Sequence, residues 1–258
     1  MRRLVTSAKD EVRSAKYLAR TLRTSSFVVR TFLCLLAALP AAAQDDYGFR
    51  FVRVRYDDPR GAGMRWGGDA WAHDYPTAEH NFYTALERTT RIHLDGPPLV
   101  LTLADDRIFD YPVLYLCEPG YWQMSDEEAA NLREYLARGG FILFDDFRGE
   151  REWARFYDQM KRVLPDREPV ELPPDHPVWT VYFDVDPVEA PSNVSGGYFT
   201  KYDDRYLAFF DDAGRMMALS CFNQDIGDGW EYPDRNWDNV STINFQMGIN
   251  FVIYALTH

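Results

Sequence analysis

The stretch from Val113 to Phe144 constrains the fold more than any other part of the chain. Val113-Leu-Tyr-Leu-Cys117 is an apolar, strand-like run that stops at Glu118-Pro119-Gly120. Ser125-Asp-Glu-Glu128 then has the form of a capping box, in which Ser125 accepts from the Glu128 amide while Glu128 reaches back. The helix it opens runs through Leu132, Tyr135 and Leu136 and stops at Gly139-Gly140, residues that tolerate a left-handed cap. Phe141-Ile-Leu-Phe144 is apolar throughout, as expected of a strand covered on both faces, and it runs into Asp145-Asp146. Strand, capped helix, double glycine and buried strand form a right-handed βαβ unit with parallel strands.

The rest of the chain extends this pattern. Phe49 to Tyr56 alternates as a first strand, and a Gly-rich loop follows from Asp57 to Asp74. Pro76 suits the first position of a helix running to about Thr90. Leu99 to Leu103 is a short apolar run, and an amphipathic helix spans about Glu150 to Val163. Tyr206 to Phe210, the turn Asp211-Asp-Ala-Gly214 and Arg215 to Cys221 read as a β-hairpin. A long loop, Asn223 to Asn239, precedes a last apolar helix from about Ser241 to Leu256. No linker divides this part, so residues 44–258 are expected to form a single α/β domain with helices on both faces.

Charge separates the N-terminal segment from the rest. The 258 residues carry a formal charge of −12. Residues 1–43 hold eight basic residues against Asp10 and Glu11, then the apolar run Thr31 to Ala43. A basic stretch, about a dozen apolar residues and an Ala-x-Ala end describe a signal peptide cleaved near Ala43. The run is too short to cross a hydrocarbon core of roughly 30 Å. A periplasmic or extracellular protein with no membrane span is therefore expected after cleavage. Residues 44–258 retain 20 basic and 38 acidic residues, a charge of −18. Such a chain is poorly suited to nucleic acid, whose phosphates need clustered Lys and Arg. Cys117 and Cys221 each sit in an apolar run, which favours buried free thiols over a disulfide.

Several motifs together resemble a known family. They are Asp74-Tyr-Pro-x-Ala-Glu-x-Asn-Phe82, Tyr111-Pro-x-Leu-Tyr-Leu116, Leu132-x-x-Tyr-Leu-x-x-Gly-Gly-Phe141, Asp145-Asp-Phe147, Pro174-Asp-His-Pro177 and Gly248-Ile-Asn-Phe-Val-Ile-Tyr254. This set is similar to a bacterial domain of unknown function related to class I glutamine amidotransferases and trehalose-utilisation-type proteins. The resemblance implies a flavodoxin-like three-layer sandwich, mainly parallel, with a C-terminal β-hairpin, in an exported or membrane-attached setting. It implies no catalytic residues. A glutaminase would need a thiolate on a sharp strand-to-helix elbow. Cys117 is instead followed by Glu118-Pro119-Gly120, and the adjacent Glu118 disfavours the thiolate.

In open α/β sheets the ligand crevice lies beyond the carboxyl ends of the parallel strands. Glu118, Asp145 and Asp146 occupy such ends and are candidates for general acid/base work, although an aspartate there can equally cap a helix or accept loop amides. His176, on the rigid Pro173-Pro-Asp-His-Pro177 loop, is a fourth catalytic candidate or a loop-pinning group. His73, Asp74 and His80 flank the first helix, where Asp74 is either N-cap or ligand residue. The loop holding Asn223, Asp225, Asp228, Trp230 and Glu231 is dense in oxygen ligands but departs from the EF-hand order; calcium is a candidate, and no other cofactor is expected. Trp66, Trp71, Trp122, Trp230 and Trp237 fall in expected loops, where rings beside acids suit sugar stacking or plug gaps between loops and sheet. No complete catalytic constellation assembles from these residues. The expectation is a noncatalytic module of the cell envelope binding an envelope ligand or protein. The alternative is a hydrolase acting on an envelope carbohydrate through strand-end carboxylates.

Overall fold

The computed structural model describes residues 48–58, 68–188, 203–235 and 239–258. The expected export segment, its cleavage point at Ala43, Trp66 and Trp237 lie outside these residues. The βαβ unit forms as its sequence dictates. Strand β3 (Val113–Cys117) is buried throughout, helix α2 (Asp126–Ala137) carries the reciprocal Ser125–Glu128 cap, and strand β4 (Phe141–Phe147) is buried along its whole length. The strands are parallel, with Val113 opposite Phe141 and Cys117 opposite Asp145. Gly139 ends the helix at φ +108°, and the amides of Gly139 and Gly140 bond the carbonyls of Leu136 and Tyr135, a Schellman closure.

Five strands build a parallel core. β1 (Val52–Val54) lies between β2 (Leu99–Leu101) and β3, and β4 pairs with β7 (Met216–Phe222) on its far side. The hairpin strand β6 (Arg205–Phe210) and the two-residue β5 (Val170–Glu171) add an antiparallel edge, giving the order β2-β1-β3-β4-β7-β6-β5. The hairpin thus feeds its second strand into the parallel core. β5 was not legible in the sequence, and the first strand is shorter than its alternation suggests.

The period of two along each strand sorts side chains between two apolar layers. Tyr115, Cys117 and Leu143 face one layer with residues of helix α1 (Thr77–Thr89) and helix α5 (Val240–Thr257). Leu114, Leu116, Ile142 and Phe144 face the other, with residues of α2 and helix α3 (Gly149–Val163). The result is an α/β sandwich around a seven-stranded mixed sheet. Among the described residues, no helix is long and apolar enough to cross a membrane.

One expected loop is not a loop. Within Asn223 to Asn239 a short helix α4 (Ile226–Glu231) forms, because the Asp225 side chain caps the Asp228 amide and Asp145 accepts two further amides of its first turn.

Candidate functional site

The carboxyl ends of the parallel strands draw together residues distant in sequence. Asp74, Glu118, Asp146 and Asn223 all adopt left-handed backbone there, at φ 63°, 55°, 60° and 66°. Each such non-glycine residue costs of order 1–3 kcal/mol, and such strain persists where the surrounding structure over-determines it. The turns re-aim their side chains over the sheet end.

The loop carrying His73 and Asp74 is held from below by Arg53 of β1. Arg53 is fully buried, pairs through Nε with Glu79 of α1, and donates to the carbonyls of Trp71 (2.8 Å) and His73 (2.9 Å). Strand alternation would turn such an arginine to solvent. Here it is the post on which the loop hangs. Asp74 does not cap α1 with its side chain: its main-chain carbonyl accepts from Ala78, while neither carboxylate oxygen has a hydrogen-bond partner.

His73 Nδ1 lies 2.7 Å from Asp146 Oδ2 and 3.8 Å from Glu118 Oε1, with a quarter (25%) of its side chain open to solvent. Burial disfavours its cation, but the hydrogen bond and charge of Asp146 win and raise its pKa to about 10. The other Asp146 oxygen takes Arg148 Nη1 at 2.5 Å, and Arg148 Nη2 reaches Asp225 Oδ2 at 2.9 Å. Burial alone would push Asp146 up; Arg148 and His73 more than offset it and hold Asp146 well below the usual carboxylate range. Glu118 moves the opposite way, pushed up by burial and then by the Asp146 charge.

Asp145 points into the sheet layer instead. It accepts from the Tyr115 hydroxyl and from the amides of Ile226 and Gly227, and so ties α4 to β4. Burial and the neighbouring Asp146 push its pKa up to about 7 despite these donors. It serves there as a structural acceptor for helix amides. Asn223 is likewise structural, accepting from the Gly149 amide and donating to the Asp203 carbonyl.

Other expected residues fall away from this cluster. His176 accepts from the Val178 amide at 3.2 Å and packs on Phe210 and Tyr254, at the amino-terminal end of the parallel strands; it pins its loop. Trp122 and Trp230 are each 1% exposed, one against Phe144 and the other against Phe82 and Tyr115, so their faces are closed to a sugar. They fill the gaps between sheet and helices. Glu231 ends α4 and hydrogen-bonds Tyr232. Cys117 and Cys221 are buried free thiols, as their apolar runs suggested. Burial, then Asp146, pushes the Cys117 thiol up, away from the nucleophilic thiolate.

Sequence pattern singled out neither Arg148 nor Arg53, and it assigned no role to His73. Arg148 stands two residues after Asp146, and His73 directly precedes Asp74; those adjacencies are the available signal. A cleft of about 590 Å³ lies beside the cluster, lined by residues including Tyr56, Asp57, Asp58, Asp69 and Trp71. Tyr56 joins the two, because its hydroxyl donates to the carbonyls of Cys117 and Glu118.

An α/β sandwich with a carboxylate–histidine centre over its parallel strand ends is the class of protein defined by these features. The chain belongs to the family described as Domain of unknown function (DUF4159), whose model matches residues 50–256. No curated protein matches it.

Proposed function

We propose that this chain is an exported module of the cell envelope that binds a polar ligand, of carbohydrate character, over the carboxyl ends of its sheet without turning it over. The observation that carries the reading is the convergence of His73, Glu118 and Asp146 at one partly open position beside a cleft bearing Trp71 and three aspartates. Hydroxyl-rich ligands suit charged acceptors flanked by an aromatic ring. The core order β2-β1-β3-β4-β7 has the pattern of flavodoxin-like sheets, whose crevice opens where the strand order reverses, here between β1 and β3. This supports the kinship with class I glutamine-amidotransferase-like folds at the level of architecture. A glutaminase reaction is not part of the proposal, because Cys117 is buried and held as a thiol.

A second reading rests on one observation. Glu118 is pushed toward its neutral acid while Asp146 is held ionised, and environments that split two carboxyls in this way suit an acid and its anionic partner. A carbohydrate hydrolase would use them so.

Screening the full chain against envelope glycans, by thermal shift and by product analysis, separates the readings. Binding without product, retained in Glu118→Gln, is the expected result. Turnover abolished in Asp146→Asn with folding intact would replace the binding module by the hydrolase. A uniformly flat screen removes both.

A further inference from the structure

Asp74 is the unexplained group of the site. Its side chain is 0% exposed, and neither carboxylate oxygen has a hydrogen-bond partner. His73 Nε2 stands 3.7 Å from Oδ1, beyond hydrogen-bond range. Leaving a buried carboxylate in this condition is costly unless something else meets it. The carboxylate is aimed at the first turn of α4: a Cβ at Gly227 would come within 2.8 Å of Asp74 Oδ2. Only a glycine there admits the approach. Asp225 and Asp228 of that same turn each offer an oxygen, and the three ligand atoms lie within 4.8 Å of one another.

We propose that Asp74, Asp225 and Asp228 hold a hard divalent cation, with calcium as its natural occupant. The charge of the neighbourhood points the same way. Five acidic side chains, Asp74, Glu118, Asp146, Asp225 and Asp228, are buried around two basic ones, His73 and Arg148, so acids outnumber the bases that face them. A divalent ion would let more of these buried acids ionise than His73 and Arg148 alone do. All three donors are carboxylate oxygens, the set that calcium and magnesium prefer. Calcium fits better, since it takes oxygen donors in flexible geometry, whereas magnesium demands a near-ideal octahedron and gives up its waters reluctantly.

A softer set also surrounds Asp74, namely His73, Cys117 and Asp146. It is the weaker candidate. A transition metal there would have to displace the proton shared by His73 and Asp146 and ionise the buried Cys117 thiol, neither of which the three-aspartate set requires.

The inference rests on the strand-end site proposed above and supplies its cofactor. Its test is titration of the chelator-treated full chain with calcium chloride, by calorimetry and thermal shift, with magnesium, manganese and zinc in parallel. A single-site calcium isotherm and a raised Tm are expected. Asp74→Asn and Asp228→Asn should each weaken calcium at least about tenfold, while metal-free Asp74→Asn melts no lower than the parent. No heat and no shift with calcium, magnesium or manganese in the unmodified chain overturns the proposal outright. So does zinc binding that is lost in Cys117→Ser but untouched in Asp228→Asn. If glycan binding persists in chelator while calcium does nothing, the cation fails and the binding module stands. Calcium binding beside a flat glycan screen gives the converse: the cation site stands and the glycan-binding module fails.

Discussion

The two ends of the parallel sheet are built on opposite terms. At the amino end, Arg215 donates to the carbonyls of Gly140 and Leu136 and pairs with Asp211, the Tyr135 hydroxyl donates to the Phe141 carbonyl, and the left-handed positions are glycines, Gly139 and Gly214. Each of these groups answers a neighbour. At the carboxyl end, only Gly149 is a left-handed glycine while Asp74, Glu118, Asp146 and Asn223 adopt the same backbone with side chains, and buried carboxylates crowd two cations. The same strands support both ends, so the contrast cannot come from sheet architecture. Strain and charge are concentrated at the carboxyl end, in a protein otherwise consistent at each level.

The sharpest way to break this comparison is to remove one arginine from each end. Arg148→Ala strips the cation from Asp146 and Asp225 together, and a loss of about 3–5 kcal/mol is expected in denaturant unfolding. Arg215→Ala removes hydrogen bonds from a half-buried group and should cost about 1–2 kcal/mol. Equal losses would erase the distinction between the ends.

The next effect is one of pH. His73 is raised from 6.5 to about 10, against burial, by Asp146. A group raised in the folded state contributes fully below its unfolded value, so this stabilisation is complete below about 6.5 and lost as pH climbs through about 10. Unfolding followed over that window, in chelator, should show a decline on the order of 2–3 kcal/mol, screened because the ring is partly open to water. In His73→Gln the decline should flatten. The buried acids Glu118 and Asp74 slope the same way, so the difference between the two proteins is the informative quantity. An unchanged slope would show that His73 is not the imidazolium described.

The smallest effects form a mirrored pair. Gly139→Ala places a Cβ at φ +108° and should destabilise by about 1–2 kcal/mol. Glu118→Gly relieves the corresponding strain and removes a buried carboxyl, so a gain of about 1 kcal/mol is expected, with ligand binding impaired. If both substitutions destabilise, the carboxyl end is no more strained than its counterpart.

Much of this was legible from local pattern. The capping box at Ser125, the double-glycine stop and the doubly buried β4 are short-range signals, and each formed as its pattern implies. Glu118 and Asp146 were marked because strand ends in α/β sheets carry sites, and they do stand together around His73. The sequence could not separate Asp145 from Asp146, since adjacent residues differ only in which way the strand turns them. It set Trp230 in a loop, where a short helix forms, and it could not tell that the loop ring of Trp122 folds inward, because such residues leave no periodic trace. Arg53 was hidden for the opposite reason: alternation marked it as outward, and only the arrival of Glu79 and two carbonyls made its burial tolerable.

What the amino-acid sequence determined by itself was the alternation of strands and helices, the parallel pairing of β3 with β4 and the excess of acid in residues 44–258. These follow from period, capping and composition, which act within a few residues or over the whole chain. Tertiary structure alone decided that the hairpin's second strand joins the parallel core and that Asp74 comes close to Asp225 and Asp228. Contacts between residues so far apart depend on how layers pack, and no local signal encodes which carboxylates that packing will bring face to face.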